Sequence, residues 1–103
     1  MGAMSRDKGK RGERELSTLL AATGLPYLRE QDGRVQGADF RVEQFCIEAR
    51  YREKLEIPKW CAELELATPD HLVPVLAWRK NNAPWRTSML MSDWLDLIRA
   101  GRA

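Results

Sequence analysis

Two hydrophobic rhythms run along this chain, and they mark its elements. Leu16, Leu19, Leu20 and Thr23 are spaced by three and four residues, the period of one helical face, and Gly24 follows as a stop, so a helix is predicted over 12–23. Glu13, three residues before Leu16, falls at the edge of the packed face. Leu25–Arg29, with Pro26 near its start, reads as a short strand, and 31–37, with two glycines, as a loop. The period then shortens to two. Phe40 and Val42 alternate with Asp39 and Arg41, and Phe45, Ile47 and Ala49 alternate with Cys46, Glu48 and Arg50. Strands over 38–42 and 45–51, parted only by Glu43 and Gln44, predict a hairpin with one apolar face and one face of ionisable groups.

Pro58 suits the start of a second helix running to about Ala67, with Trp60, Leu64 and Ala67 on its packed side. Val73–Trp78 and Trp85–Leu90 read as paired strands joined through Asn81 and Asn82, and Pro74 points to a strand start or a sheet edge. Ser92 is the expected cap of a last helix, with Asp93 in its first turn, Trp94, Leu95 and Ile98 packing inward, and Gly101 closing it. The element order is α-β-β-β-α-β-β-α, an α/β fold.

Composition narrows the class. With 103 residues, 44% hydrophobic and 31% charged, the chain fits one globular domain and excludes disordered and fibrous readings. Met1–Met4 reads as a cloning remnant ahead of a single domain over 5–103. The chain shows neither a membrane-length apolar run nor an export leader, so a cytoplasmic protein of a bacterium or a phage-infected host cell is expected. Cys46 and Cys61 lack metal-site spacing and read as reduced, packed thiols. His71, with no second histidine, reads as structural or exposed, and Met89 and Met91 as packing residues. The tryptophans are expected in the core or an interface, with Trp85 the best candidate for stacking on a base.

The net charge of +2 decides nothing by itself, but its distribution is uneven. Arg6, Lys8, Lys10, Arg11 and Arg14 crowd the start, Arg50, Arg52 and Lys54 lie mid-chain, and Arg79, Lys80 and Arg86 form a third group. A face meeting phosphates is one reading; a solvated surface with a frayed basic terminus is the other. Arg79, Lys80, Asn81 and Asn82 could touch DNA from a polar turn.

The chemistry lies in Asp39 and, nine residues on, Glu48-Ala49-Arg50. Across a hairpin with strands about 5 Å apart, Asp39 and Glu48 project from one face. Two neighbouring carboxylates repel unless a cation lies between them, and Mg²⁺ suits such a pair because it keeps waters that substrate phosphate oxygens can replace. The Ala49 carbonyl could add an oxygen, Glu13 a third carboxylate, and Arg50 would return to the same face beside the metal, where it would stabilise charge on an attacked phosphate. Water activated by the metal would then attack phosphorus in line. The plainer alternative is an exposed hairpin face with Arg50 as a cross-strand ion-pair partner.

Taken together, Lys8-Gly9-Lys10-Arg11-Gly12-Glu13-Arg14-Glu15-Leu16, Arg29 before a glycine-containing loop, Gly37-Ala38-Asp39 and Ile47-Glu48-Ala49-Arg50 resemble the archaeal and phage type of Holliday junction resolvase, within the PD-(D/E)XK nuclease superfamily. The resemblance covers about Lys8–Trp60. It implies a restriction-endonuclease-like fold, a mixed β-sheet flanked by helices, and phosphodiester hydrolysis with Mg²⁺ or Mn²⁺ held by Glu13, Asp39, Glu48 and the Ala49 carbonyl. It also implies a homodimer on four-way or other branched DNA, with Lys8, Lys10, Arg11, Arg14, Arg29, Arg52 and Lys54 as candidate DNA contacts. One departure matters: Arg50 stands where the family motif ends in Lys, and a planar guanidinium is not equivalent to an ammonium. Either Arg50 serves electrostatically, or Arg52, Lys54 or Lys59 reaches in, or the chain binds branched DNA and cuts poorly. A metal-dependent endonuclease, a branched-DNA binding module and a protein-interaction domain are thus the readings to separate.

Overall fold

The structure is a computed structural model that describes residues 2–29 and 38–101, with residues 2–7 given by backbone alone. Its elements are α1 (Gly2–Ala22), β1 (Leu28–Arg29), β2 (Phe40–Val42), β3 (Phe45–Tyr51), α2 (Ile57–Ala67), β4 (Val73–Arg79), β5 (Arg86–Ser88) and α3 (Met91–Gly101). The five strands form one mixed sheet in the order β1-β2-β3-β4-β5, in which only β3 and β4 run parallel. The element order agrees with the sequence pattern, and the expected loop over 31–37 lies outside the described residues. Among the described residues no helix is long and apolar enough to cross a membrane.

The β2–β3 hairpin turns through Glu43 and Gln44 as expected, with Glu43 at φ 52, the left-handed conformation that a two-residue turn favours. The faces of the sheet differ from expectation. Both are covered, because the crossover helix α2 joining parallel β3 and β4 lies on one and α1 on the other. Leu16 of α1 packs with Phe40 and Ala77, flanked by Ile47 and Ala49. Trp60 and Leu64 of α2 pack on the opposite face with Cys46 and Leu76. The face carrying Cys46, Glu48 and Arg50 is therefore the half-buried underside of α2 rather than an ionisable surface. Cys46 is buried and Cys61 half-buried, both as free thiols, and burial pushes both thiol pKa values up. Pro74 sits in a central strand, which works because β5 pairs only with Leu76–Trp78 and demands no N–H at that position.

Two helices depart from the sequence reading. α1 begins at Gly2 and not at 12, so the basic segment is helical rather than frayed. Tertiary contacts extend it: the Lys8 ammonium and the Arg11 guanidinium lie 5.2 and 5.7 Å from the Tyr51 ring centroid. Gly12 is buried there, and a Cβ on it would stand 2.9 Å from Tyr51 Cβ, so this glycine sets how closely α1 approaches β3. α3 starts at Met91, leaving Ser92 inside the helix rather than at its cap. Its Trp94, Leu95 and Ile98 are 49%, 45% and 37% exposed, and Met91 66%, contrary to the expected inward packing. Instead Asp93, Asp96, Leu97 and Ala100 line a groove facing Gln44, Phe45 and Val73. Only Met89 and Leu90 connect β5 to α3, and this short link fixes which side of the helix meets the sheet.

Candidate functional site

The site forms where β2 ends. Its register with β3 pairs Phe40 with Ile47, while β3 runs on through Glu48 to Tyr51. Asp39 stands at this break. Its backbone N–H donates to the Ile47 carbonyl at 3.0 Å, and its carboxylate Oδ2 accepts the Ala49 N–H at 2.8 Å. The side chain thus continues the ladder that the β2 backbone has left. Because N–H and C=O of one strand residue point to the same side, the Ala49 carbonyl is aimed toward the same edge.

Around that edge the structure brings together the three predicted acids. Glu48 extends from the α2 face, Glu13 comes down from α1 on the other face, and Asp39 lies between them. Gly12 is the reason Glu13 reaches: the close approach at Tyr51 lowers the next residue of α1 toward the end of β2. Burial first, then the Asp39 carboxyl, push Glu13 up to about 7, against the pull of the Arg29 guanidinium. Burial first, then the Glu48 carboxyl, push Asp39 up to about 7 as well, against the hydrogen bonds from Glu13 and the Ala49 N–H. Near neutral pH, Glu13 and Asp39 are therefore both close to their titration points. Among the described residues no three His, Cys, Asp or Glu side chains are grouped so as to hold a metal ion. The acids form a row, with Asp39 common to both pairs.

Arg50 is the cation beside Glu48, its Nη2 3.9 Å from Glu48 Oε2. The guanidinium lies 5.5 Å from the Trp60 ring centroid, and its buried Nε has no hydrogen-bond partner. Of the other candidate cations, Lys54 and Lys59 are exposed, and Lys54 lies beyond the end of β3, so strand parity does not return it to Arg50. Arg52 donates to the Tyr51 carbonyl at 3.1 Å and lies near Gly9 instead. Arg29 faces Glu13 and sits 5.8 Å from the Phe40 ring centroid. Lys10, Arg11 and Arg14 project from α1 as exposed groups, and Lys8 is half-buried with its ammonium 3.4 Å from Glu53.

A second cluster, beside the row, escaped the sequence reading. Glu15 Oε1 accepts hydrogen bonds from Arg79 Nη1 at 2.8 Å and Trp85 Nε1 at 3.2 Å, and Arg11 Nε lies 3.5 Å from Oε2. Arg79 stacks 4.4 Å from the Tyr51 ring centroid. The Tyr51 hydroxyl donates to Asn81, whose N–H donates to Glu53 at 2.7 Å. Arg79 and Asn81, read from sequence as possible DNA contacts, are held in this internal network, and Trp85 is half-buried in it rather than free to stack. His71 is exposed. Glu15 gives no sequence signal that separates it from any other helix acid with an i,i+4 arginine, because its hydrogen-bond partners Arg79 and Trp85 lie more than sixty residues away.

Comparison of the sequence with protein-family models and with characterised proteins finds no match. The chemistry of the site therefore carries the functional reading.

Proposed function

We propose that the chain is a metal-dependent DNA endonuclease of the Holliday junction resolvase kind, built on a restriction-endonuclease-like fold. The observation that supports this most is the row of Glu13, Asp39 and Glu48, drawn from three elements to one sheet edge where like charges face each other. Burial and mutual repulsion make such a row costly unless it has a ligand, and an all-oxygen, partly exposed donor set fits a small hard cation. Asp39 and Glu48 would hold Mg²⁺ or Mn²⁺, with Glu13 and the Ala49 carbonyl as further donors. When bound, the cation supplies an activated water and charge neutralisation at phosphorus. Arg50, over Trp60 and beside Glu48, would lend positive charge to an attacked phosphate. Lys10, Arg11 and Arg14 on α1 offer exposed cations to the DNA backbone.

The mixed sheet, the two covering helices and the Glu-bearing first helix support the restriction-endonuclease-like assignment. A second reading has an observation of its own. Arg50 already neutralises part of the Glu48 charge and cannot release a proton as a lysine can, which favours a branched-DNA binding module with weakened catalysis. A four-way junction cleavage assay in Mg²⁺ and Mn²⁺ separates the two. Cutting by the wild-type chain, lost in Asp39→Asn and Glu48→Gln with junction binding retained, supports the nuclease. Binding without cutting, with cutting gained in Arg50→Lys, supports the module. Full cutting by both acid variants dismisses the site.

A further inference from the structure

Trp85, just before β5, is held on three sides. Its indole N–H donates to Glu15 at 3.2 Å, its ring meets Tyr51 edge-on with centroids 6.5 Å apart, and its tip lies beside Gly12. Between Trp85 and α1 opens a cavity of about 280 Å³ lined by Glu15, Thr18, Leu19 and Trp85. Leu19 is 49% exposed there, and Thr18 spends its hydroxyl on the Arg14 carbonyl at 3.0 Å, which leaves its methyl for the lining. Both Glu15 oxygens face the chain's own groups, Oε1 meeting Arg79 and Trp85 and Oε2 meeting Arg11. The lining therefore offers an aromatic ring and aliphatic groups, with its one carboxylate already engaged.

We propose that this cavity takes an unstacked base of the DNA strand whose phosphate lies at the row of Glu13, Asp39 and Glu48. The proposal rests on the DNA reading above and adds to it a place for a base. Three observations select that occupant. The first is size. The cavity is at the small end of ligand pockets, which run from about 300 to 1,000 Å³, and suits one planar ring system rather than a helix or a lipid chain. The second is position. Successive helix residues turn by about 100°, so Glu13 and Glu15 stand about 200° apart, and the row and the cavity lie on the two flanks of α1. Gly12 and Leu16 are buried toward the sheet, so the ridge between those flanks is the outward one, which carries Lys10 and Arg14. The third is charge. Lys10 and Arg14 are both exposed, so a cationic ridge leads from an acidic row to an apolar cavity, matching a strand with an anionic backbone and apolar bases. An α-helix with its side chains is about 10–12 Å across, which puts the base about three nucleotides from the phosphate at the row. Held on three sides, Trp85 cannot swing out over a paired base, so the base has to leave its stack. That costs least where pairing or stacking is already interrupted. With Glu15 engaged, contact is through ring and apolar walls alone, which every base satisfies, so no sequence preference is expected.

The test uses neither cleavage nor metal. In EDTA, a thymidine pentanucleotide titrated into the ¹⁵N-labelled full chain should shift the Trp85 indole N–H resonance saturably, and an abasic deoxyribose-phosphate pentamer should not. Leu19→Trp, which fills the cavity from an exposed position, should weaken the pentanucleotide at least about 5-fold, and Leu66→Trp, at an α2 position 90% exposed, should leave it unaltered. The comparison of the two pentamers on the wild-type chain stands even if Leu19→Trp misfolds. A base-dependent shift in a chain that fails to cut junctions still supports the cavity. Junction cutting with no base-dependent shift keeps the nuclease reading and overturns the cavity. Equal shifts from the two pentamers, or a matching shift from a phenylalanine-containing pentapeptide, would overturn it as well.

Discussion

Glu13 and Glu15 are two residues apart on the same helix, and their surroundings are opposite. Glu15 meets a guanidinium at 2.8 Å and an indole N–H at 3.2 Å, with a second guanidinium at 3.5 Å, so its carboxyl oxygens are matched by cations and donors. Glu13 meets another carboxyl, and burial together with that neighbour pushes it up to about 7. The contrast separates two uses of a half-buried acid. One is satisfied by the chain itself and fastens α1 to β4; the other faces a second carboxyl, a repulsion the proposed cation would offset.

The largest effect that would break this contrast is catalytic. Asp39→Asn and Glu48→Gln are each expected to lower junction cleavage in Mg²⁺ by at least about 10²–10³-fold, while Glu15→Ala should leave the rate per folded molecule within a few-fold. Single-turnover cleavage on purified, folded protein checks this. The order reverses for stability. Glu15→Ala strands the Arg79 guanidinium, whose side chain is only 17% exposed, and should cost about 2–3 kcal/mol in urea unfolding.

pH sharpens the comparison next. Carboxyls that titrate near 4 in the unfolded chain titrate at about 7 in the fold at Glu13 and Asp39, so the folded state holds extra protons between these values. Stability contributed by Glu13 and Asp39 is full below about pH 4 and falls as pH rises through 7. After solvent screening, the loss between pH 5 and pH 8 should be on the order of 1–3 kcal/mol. Asp39→Asn should flatten that slope, and Glu15→Gln should not; parallel unfolding curves at the two pH values decide it. Gly12→Ala comes next. Its Cβ would meet Tyr51 Cβ at 2.9 Å, and lifting α1 to relieve this should cost about 1–2 kcal/mol net of helix propensity and slow cleavage by moving Glu13. Smallest is Glu43→Gly in the hairpin turn, expected to stabilise by up to about 1 kcal/mol because Glu43 holds φ 52.

What could be read from sequence followed the range of the interactions. The β2–β3 hairpin was legible because a period of two and a two-residue turn are local, and it placed Asp39 opposite Glu48 before any coordinates. Glu13 required more, since its meeting with Asp39 depends on Gly12 letting α1 settle on Tyr51. The Glu15–Arg79–Trp85 network was invisible because nothing near Glu15 in the chain distinguishes it. α3 was misjudged for a related reason: its apolar stripe is plain in the sequence, but periodicity says that a face is to be covered and not by what. The underside of α2 departs from the sequence pattern because the parallel pairing of β3 with β4, which sets the crossover helix on that face, is not a local property.

Cation binding tests the central claim most directly. Calorimetric titration of Mn²⁺ into the wild-type chain at pH 8, above the values to which Glu13 and Asp39 are raised, should show saturable binding that Asp39→Asn abolishes and Glu15→Gln preserves. No binding by the wild-type chain, or equal binding by Asp39→Asn, would contradict the reading of Glu13, Asp39 and Glu48 as a site for a divalent ion.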